Sequence, residues 1–279
     1  MSDGANWLDQ LLSREIFERI RNDRRTLDNI DTLLGWPKRD IFSEVINGGQ
    51  ADFDAPVGHL SGDDRALLYA DFNQKRHLDE LAHAFRLLID TASLSAGTTL
   101  VDIGCGPFTA GLSFAKVVGV EVPFRYFGVD RSSSMRRLGE RLAQGARCAH
   151  ALHERTSVWF GEDISQASFG PLRGEPTIVV ASYLLASPTI DPEILAQQIA
   201  VALDKIGTGL SAVLYTNSST PYASRNFSRF KDSLLNLGFE MVENSTERFT
   251  DTEKEPKNLH YALFMKPAVT TILITETSV

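Results

Sequence analysis

The run Thr99-Leu100-Val101-Asp102-Ile103-Gly104-Cys105-Gly106-Pro107-Phe108-Thr109-Ala110-Gly111 constrains this chain more than any other stretch. A short apolar segment carries one acid, glycines then alternate, and residues able to open a helix follow. A strand entering a tight turn beneath a nucleotide-like ligand has this form. Glycine takes positive φ and lets a ligand approach with no Cβ in the way. Asp102, standing before the glycines, has the wrong sign to cradle a pyrophosphate. The loop therefore suits a nucleoside that carries positive charge.

The surrounding sequence alternates in the manner of a parallel sheet. Strand-like runs fall at Thr99–Ile103, Arg125–Val129, Ser157–Gly161, Thr177–Ser182 and Ser211–Thr216, with helical patterns at Ala110–Val118, Ser133–Ala143, Pro192–Leu203 and Ser224–Leu237. Such alternation predicts a doubly wound α/β sheet covered on both faces. The end differs. Phe239–Phe249 and Leu259–Lys266 flank a charged, proline-containing stretch and read as an antiparallel hairpin, and Thr270–Thr275 is one further β-prone run that can pair with the sheet edge or with a second subunit.

Ahead of this region, Leu8, Leu11, Leu12, Ile16, Phe17, Ile20, Leu27 and Ile30 recur at helical spacing, and Gly35-Trp36-Pro37 closes that stretch. A loop over residues 47–62 follows. Ser61-Gly62-Asp63-Asp64 then starts a long helical pattern over 65–92. The organisation is a helical cap or extension over 1–62, an α/β domain over 63–267, and a tail over 268–279.

With 279 residues, 43% of them hydrophobic, the chain can bury one large core. A formal charge of −8 gives no overall attraction to nucleic acid or to an anionic membrane. Arginines cluster at Arg14, Arg19, Arg21, Arg24 and Arg25 and at Arg131, Arg136, Arg137, Arg141 and Arg147, among acids that make solvated helix faces of them. Two cysteines, Cys105 and Cys148, cannot form a disulfide framework, and the polar start of the chain carries no apolar leader. A cytoplasmic, membrane-free protein is expected.

With Val101-Asp102-Ile103-Gly104-Cys105-Gly106-Pro107 closing the first strand, Tyr126-Phe127-Gly128-Val129-Asp130-Arg131 closing the second, Gly161-Glu162-Asp163-Ile164 after the third and Val179-Val180-Ala181-Ser182-Tyr183-Leu184-Leu185 along the fourth, residues 63–267 resemble the class I S-adenosylmethionine-dependent methyltransferases. The resemblance implies a seven-stranded Rossmann-like sheet with a C-terminal antiparallel hairpin. It also implies S-adenosylmethionine as cofactor, S-adenosylhomocysteine as product, and direct methyl transfer to an acceptor. The third position of a dinucleotide-type Gly-x-Gly-x-x-Gly is Thr109, with Gly111 displaced by two, which disfavours a nicotinamide cofactor.

Each position has its own chemistry. Asp130, ending a strand, can accept hydrogen bonds from both hydroxyls of a ribose. Asp163, the Ile164 amide and Met135 can meet an adenine, although Met135 equally suits core packing. Asp102 and the backbone of Gly104, Cys105 and Gly106 suit an amino-acid tail, with Arg131 beside them and Ser182 near the methyl group. Tyr69, Asn73 and His77 share one helix face; the resemblance implies that this helix closes over the cofactor and contributes Tyr69 to the pocket, and His77 is expected to meet substrate, as base or bystander. Phe53 and His59 are placed near the mouth, and Tyr183 and Asn217 follow strands where substrates bind. No metal site and no particular catalytic residue emerge. A small-molecule acceptor is favoured. An RNA or protein acceptor, or a non-catalytic cofactor-binding module, is the alternative, and a homodimer remains open.

Overall fold

A computed structural model describes residues 6–91, 97–250, 252 and 257–268. The run Thr270–Thr275 and most of the expected hairpin turn lie outside these residues. Seven strands form the main sheet: β1 (Thr99–Ile103), β2 (Arg125–Val129), β3 (Ser157–Gly161), β4 (Thr177–Ser182), β5 (Ser211–Ser218), β6 (Glu240–Phe249) and β7 (Lys257–Lys266). Their spatial order is β3-β2-β1-β4-β5-β7-β6. The first five pair in parallel, while β7 runs antiparallel to both β5 and β6. This is the seven-stranded α/β architecture with a C-terminal hairpin that the sequence pattern implies. No helix among the described residues is long and apolar enough to cross a membrane.

Side chains along β1, β4 and β5 alternate between two cores, as the period-two geometry of a strand requires. Leu100, Ile178, Val180, Ala212 and Leu214 pack on one face, and Val101, Val179, Val213 and Tyr215 on the other. The first face is covered by the N-terminal segments and by helices α1 (Asn6–Leu12), α2 (Gly62–Tyr69), α3 (Lys75–Thr91), α4 (Thr109–Val118) and α5 (Ser133–Cys148). The second is covered by α6 (Pro192–Ile206) and α7 (Phe227–Asn236). Leu8, Leu11, Leu12, Ile16 and Ile20 of the extension are fully buried in the same core as the sheet, so this helical stretch contributes to the interior rather than sitting on it.

Local signals fix the helix starts. Ser61 and Asp64 form a reciprocal capping box at α2, Ser132 accepts from the Met135 amide at α5, and Asp191 caps α6 with Pro192 behind it. Two expectations change. The first helical region is interrupted after Arg21, continuing as Arg24–Leu27 and then a two-residue ribbon, Thr32–Leu33 against Trp36–Pro37. The long helix begins at Gly62 and carries a wider π-type turn, Ala70–Gln74, between α2 and α3. Edge strand β6 is mostly exposed and bears Glu240, Glu243 and Glu247, charges that discourage pairing with another chain.

Candidate functional site

At the carboxyl ends of β1, β2 and β4, where the strand order reverses from the β1–β2 side to β4, lies a cavity of about 370 Å³. Open α/β sheets place their ligands at this switch point. Gly104 and Gly106 take φ of +71° and +51°, so the turn after β1 needs glycine. A Cβ on Gly106 would face open space, with Tyr69 Cε1 its nearest neighbour at 4.0 Å, whereas one on Gly104 would strike Leu184. The turn is held from below. The Gly104 and Cys105 amides donate to the Val129 carbonyl, and Gln74 Nε2 donates to the Pro107 carbonyl at 3.0 Å.

Asp130 sits at the cavity wall. Its Oδ2 accepts from the Gly106 amide at 3.0 Å and its Oδ1 from the Ser132 amide at 2.8 Å. Burial raises its pKa, and the two amide donors oppose that rise. Each oxygen keeps a further lone pair for a ligand hydroxyl. Arg131, Met135, Ser182, Tyr69, His77 and Tyr183 line the same cavity, with Met135 also packed in the core. Phe53 also lines it, edge-on to Tyr69 at 5.3 Å between ring centroids.

Several expected residues are placed elsewhere. Asp102 is buried beneath the turn, accepting from Tyr126 Oη at 2.7 Å and from the Ala110 amide, and burial pushes its pKa up to about 7. It does not line the cavity, because alternation along β1 sends it to the core face with Leu100 and leaves Ile103 on the cavity side. Cys105 is likewise buried, and its thiol is pushed well above its ordinary value. Asp163 is exposed and caps the short turn Ile164–Gln166 by accepting from the Ser165 amide, so neither it nor Ile164 lines the cavity. Glu162, one residue earlier, does. Asn217 is fully buried, donating to the Ala223 carbonyl and accepting from the Ser218 amide. His59 lies with Nε2 2.8 Å from the Leu34 carbonyl, away from the cavity.

The far end of the cavity holds His77 stacked on Tyr183, with centroids 4.0 Å apart, and Tyr183 Oη donates to Glu80 Oε2 at 2.9 Å. Burial, aided by Arg76 and Lys257, drops the His77 pKa to about 3, so the imidazole is neutral at ordinary pH and a poor base. Burial lifts Glu80 to about 7 against the pull of its Tyr183 hydrogen bond. Tyr183 has φ of +56°, uncommon for a residue with a Cβ and typical of positions held strained at functional sites. Asn73 also lines the cavity, and its Nδ2 is buried with no partner among the described residues.

The outer wall comes from the N-terminal extension, through Phe42 and residues 48–51 with Phe53. Sequence periodicity gives no sign of this wall. Asp54 fastens it, accepting from the Ser133 and Ser134 amides at 2.8 and 2.9 Å and from the Ser132 hydroxyl at 3.0 Å. An anion at a helix N-terminus satisfies otherwise orphaned amides and meets the positive end of the dipole.

No family model matches the chain, and no curated protein is significantly similar to it. Solved structures do show likeness. A magnesium protoporphyrin IX methyltransferase from Synechocystis PCC 6803 with bound S-adenosylmethionine aligns at 12% identity over 88% of this chain and 97% of its own, with a TM-score of 0.43. An S-adenosylmethionine-dependent methyltransferase from Methanosarcina mazei aligns at 15% identity over 65% and 98%, with a TM-score of 0.44. The N-methyltransferase NodS from Bradyrhizobium japonicum WM9 aligns at 14% identity over 71% and 99%, with a TM-score of 0.43.

Proposed function

We propose that this chain is an S-adenosylmethionine-dependent methyltransferase acting on a small-molecule acceptor. The observation that carries the reading is Asp130, ending β2 against a positive-φ glycine turn with lone pairs left for a ribose. The cavity fits such a cofactor in two further respects. Gly106 leaves open space where a side chain would intrude, and Asn73 Nδ2 is a buried donor without a partner among the described residues. Met135 and Phe53 offer polarizable, apolar faces for a base, and Glu162 an acceptor at the end of β3. Ser182 and Tyr183 flank the region between cofactor and acceptor.

When bound, the cofactor supplies a methyl group already activated on a sulfonium. The protein then orients the acceptor and excludes water, which is where most of the rate gain arises in such a site. An acceptor that loses a proton on methylation can hand it to Tyr183 Oη, which passes its own proton to Glu80 Oε2. A carboxylate titrating at about 7 is suited to that task. The small-molecule preference rests on the wall of residues 48–53, which narrows the mouth. S-adenosylhomocysteine formed from S-adenosylmethionine in the presence of each of a panel of small acceptors tests turnover. Calorimetry of S-adenosylmethionine on wild type and Asp130→Ala tests the site, and unchanged affinity in the variant refutes the ribose role.

A further inference from the structure

At the opposite end of the sheet, where β2, β3 and β4 begin, a second cleft of about 440 Å³ is lined by Arg125, Arg155, Arg173, Glu175 and Ser157. A strand of five residues separates the two ends by about 15 Å, so a group here cannot reach the first cavity. Three arginines and one carboxylate residue, Glu175, line the cleft, and Glu175 Oε1 lies 3.7 Å from Arg173 Nη1. The cleft carries two excess positive charges in a chain whose net charge is −8.

Two of these arginines are held in place. Arg125 Nη2 donates to the Phe169 carbonyl, and its guanidinium lies over the Phe127 ring, 5.1 Å from the centroid. The backbone of Arg173 is pinned on both sides, its amide donating to Ile206 and its carbonyl accepting from Thr208. Yet Arg125 Nη1 and Arg173 Nε are buried with no hydrogen-bond partner among the described residues. Buried charged donors left unpaired are costly and rare. Burial and then Arg173 lower the Arg125 pKa, against the opposite pull of Glu175. An anion in the cleft offsets the positive charge that Glu175 leaves unbalanced.

We propose that this cleft is a second ligand site that takes a phosphoryl group, as free phosphate or as a phosphate monoester, on Arg125, Arg155 and Arg173. Forked guanidinium donors match its oxygens, and a charge near −2 at neutral pH balances the two excess positive charges. A carboxylate would leave one of them unbalanced. The cleft is larger than phosphate alone needs, which leaves room for the remainder of a small ester. This inference stands apart from methyl transfer.

Calorimetry tests it on the full chain in phosphate-free buffer at constant ionic strength, with inorganic phosphate, glycerol 3-phosphate and acetate as probes. One saturable site is expected for both phosphates, with acetate bound about tenfold or more less tightly. Arg173→Met should weaken phosphate by about tenfold or more, and the exposed Arg155→Gln by a smaller factor, while Asp130→Ala binds phosphate as wild type does. Arg155→Gln alters a solvent-facing side chain, so it serves if Arg173→Met fails to fold. Tighter glycerol 3-phosphate assigns the site to an ester, and equal affinity assigns it to the free ion. Absence of saturation at millimolar phosphate, acetate binding equally well, or unchanged affinity in the folded arginine variants overturns the proposal.

Discussion

Asp102→Asn separates a carboxyl that supports the glycine turn from one that holds a ligand. In the folded chain Asp102 titrates at about 7 against an ordinary value of 3.8, because it is buried and only partly compensated by Tyr126 and Ala110. A raised folded-state pKa means that the native state holds the proton longer. The stability tied to this group is fully present below 3.8 and is lost as pH rises through about 7. About three pH units at about 1.4 kcal/mol each give a loss of about 4 kcal/mol, of which about 3 kcal/mol falls between about pH 5 and pH 8.5. The asparagine has no proton to lose. It adds a pH-independent cost of about 1–2 kcal/mol, since its amide cannot replace both accepting oxygens. Glu80, raised in the same direction, slopes alike in both proteins, so the difference between their profiles isolates Asp102. Urea denaturation of both proteins across this range should show the variant gaining on wild type by about 3 kcal/mol toward alkaline pH. S-adenosylmethionine affinity should change by less than about threefold, less than the loss of one charged hydrogen bond. Parallel stability profiles would refute the buried, protonated carboxyl, and a large loss of cofactor affinity would return Asp102 to the ligand.

Asp54→Ala should cost about 1–2 kcal/mol in urea denaturation near neutral pH, by removing the cap that Ser133 and Ser134 share. Its folded pKa is depressed, so the wild-type advantage is present above 3.8 and fades as pH falls further. Gly106→Ala meets no atom closer than 4.0 Å, so its cost of about 1–2 kcal/mol is that of a Cβ at φ +51° and should appear in thermal denaturation. His77→Phe keeps a ring against Tyr183 and removes a group whose depressed pKa gives stability above 6.5 that is lost as pH falls toward about 3. From neutral pH to about pH 5 the variant should therefore be spared a loss of about 2 kcal/mol that wild type incurs. Tyr183→Phe should leave cofactor affinity intact and lower turnover by about 10–100-fold if Oη conducts the acceptor proton; unchanged turnover would exclude that route.

The strands were legible because short apolar runs between turn residues have few other uses, and the place of Asp130 at the cavity wall because an acid ending a buried strand stands where the sheet opens. Asp102 shows the limit. A carboxylate before a glycine turn reads the same whether it faces the ligand or the core, and only the β1 register sends it to Tyr126. Glu162 and Asp163 differ by one position where β3 has already ended, so no periodicity decides which enters the cavity. The single face shared by Tyr69, Asn73 and His77 was visible, and all three line the cavity. Arg76 joins them across a π-type turn that a 3.6-residue period cannot register.

Phe53 was placed near the mouth from the sequence, but the rest of the wall was hidden for a different reason: it is loop, and what fixes it is distant in sequence. Arg65, almost fully buried on α2, donates to the carbonyls of Val45, Asp52 and Ala55. Asp54 ties the same stretch to α5, and Arg25 ties the extension to α2 through Asp64 at 2.8 Å. A loop anchored at both ends by charged side chains bonded to backbone or to an opposite charge has little freedom left to lose. Ligand binding then draws little on the cost of ordering it, which otherwise subtracts from affinity. The stretch of residues 48–53 is thus a fixed side of the cavity, and this is why weakening Asp54 should be felt at the cofactor as well as in stability.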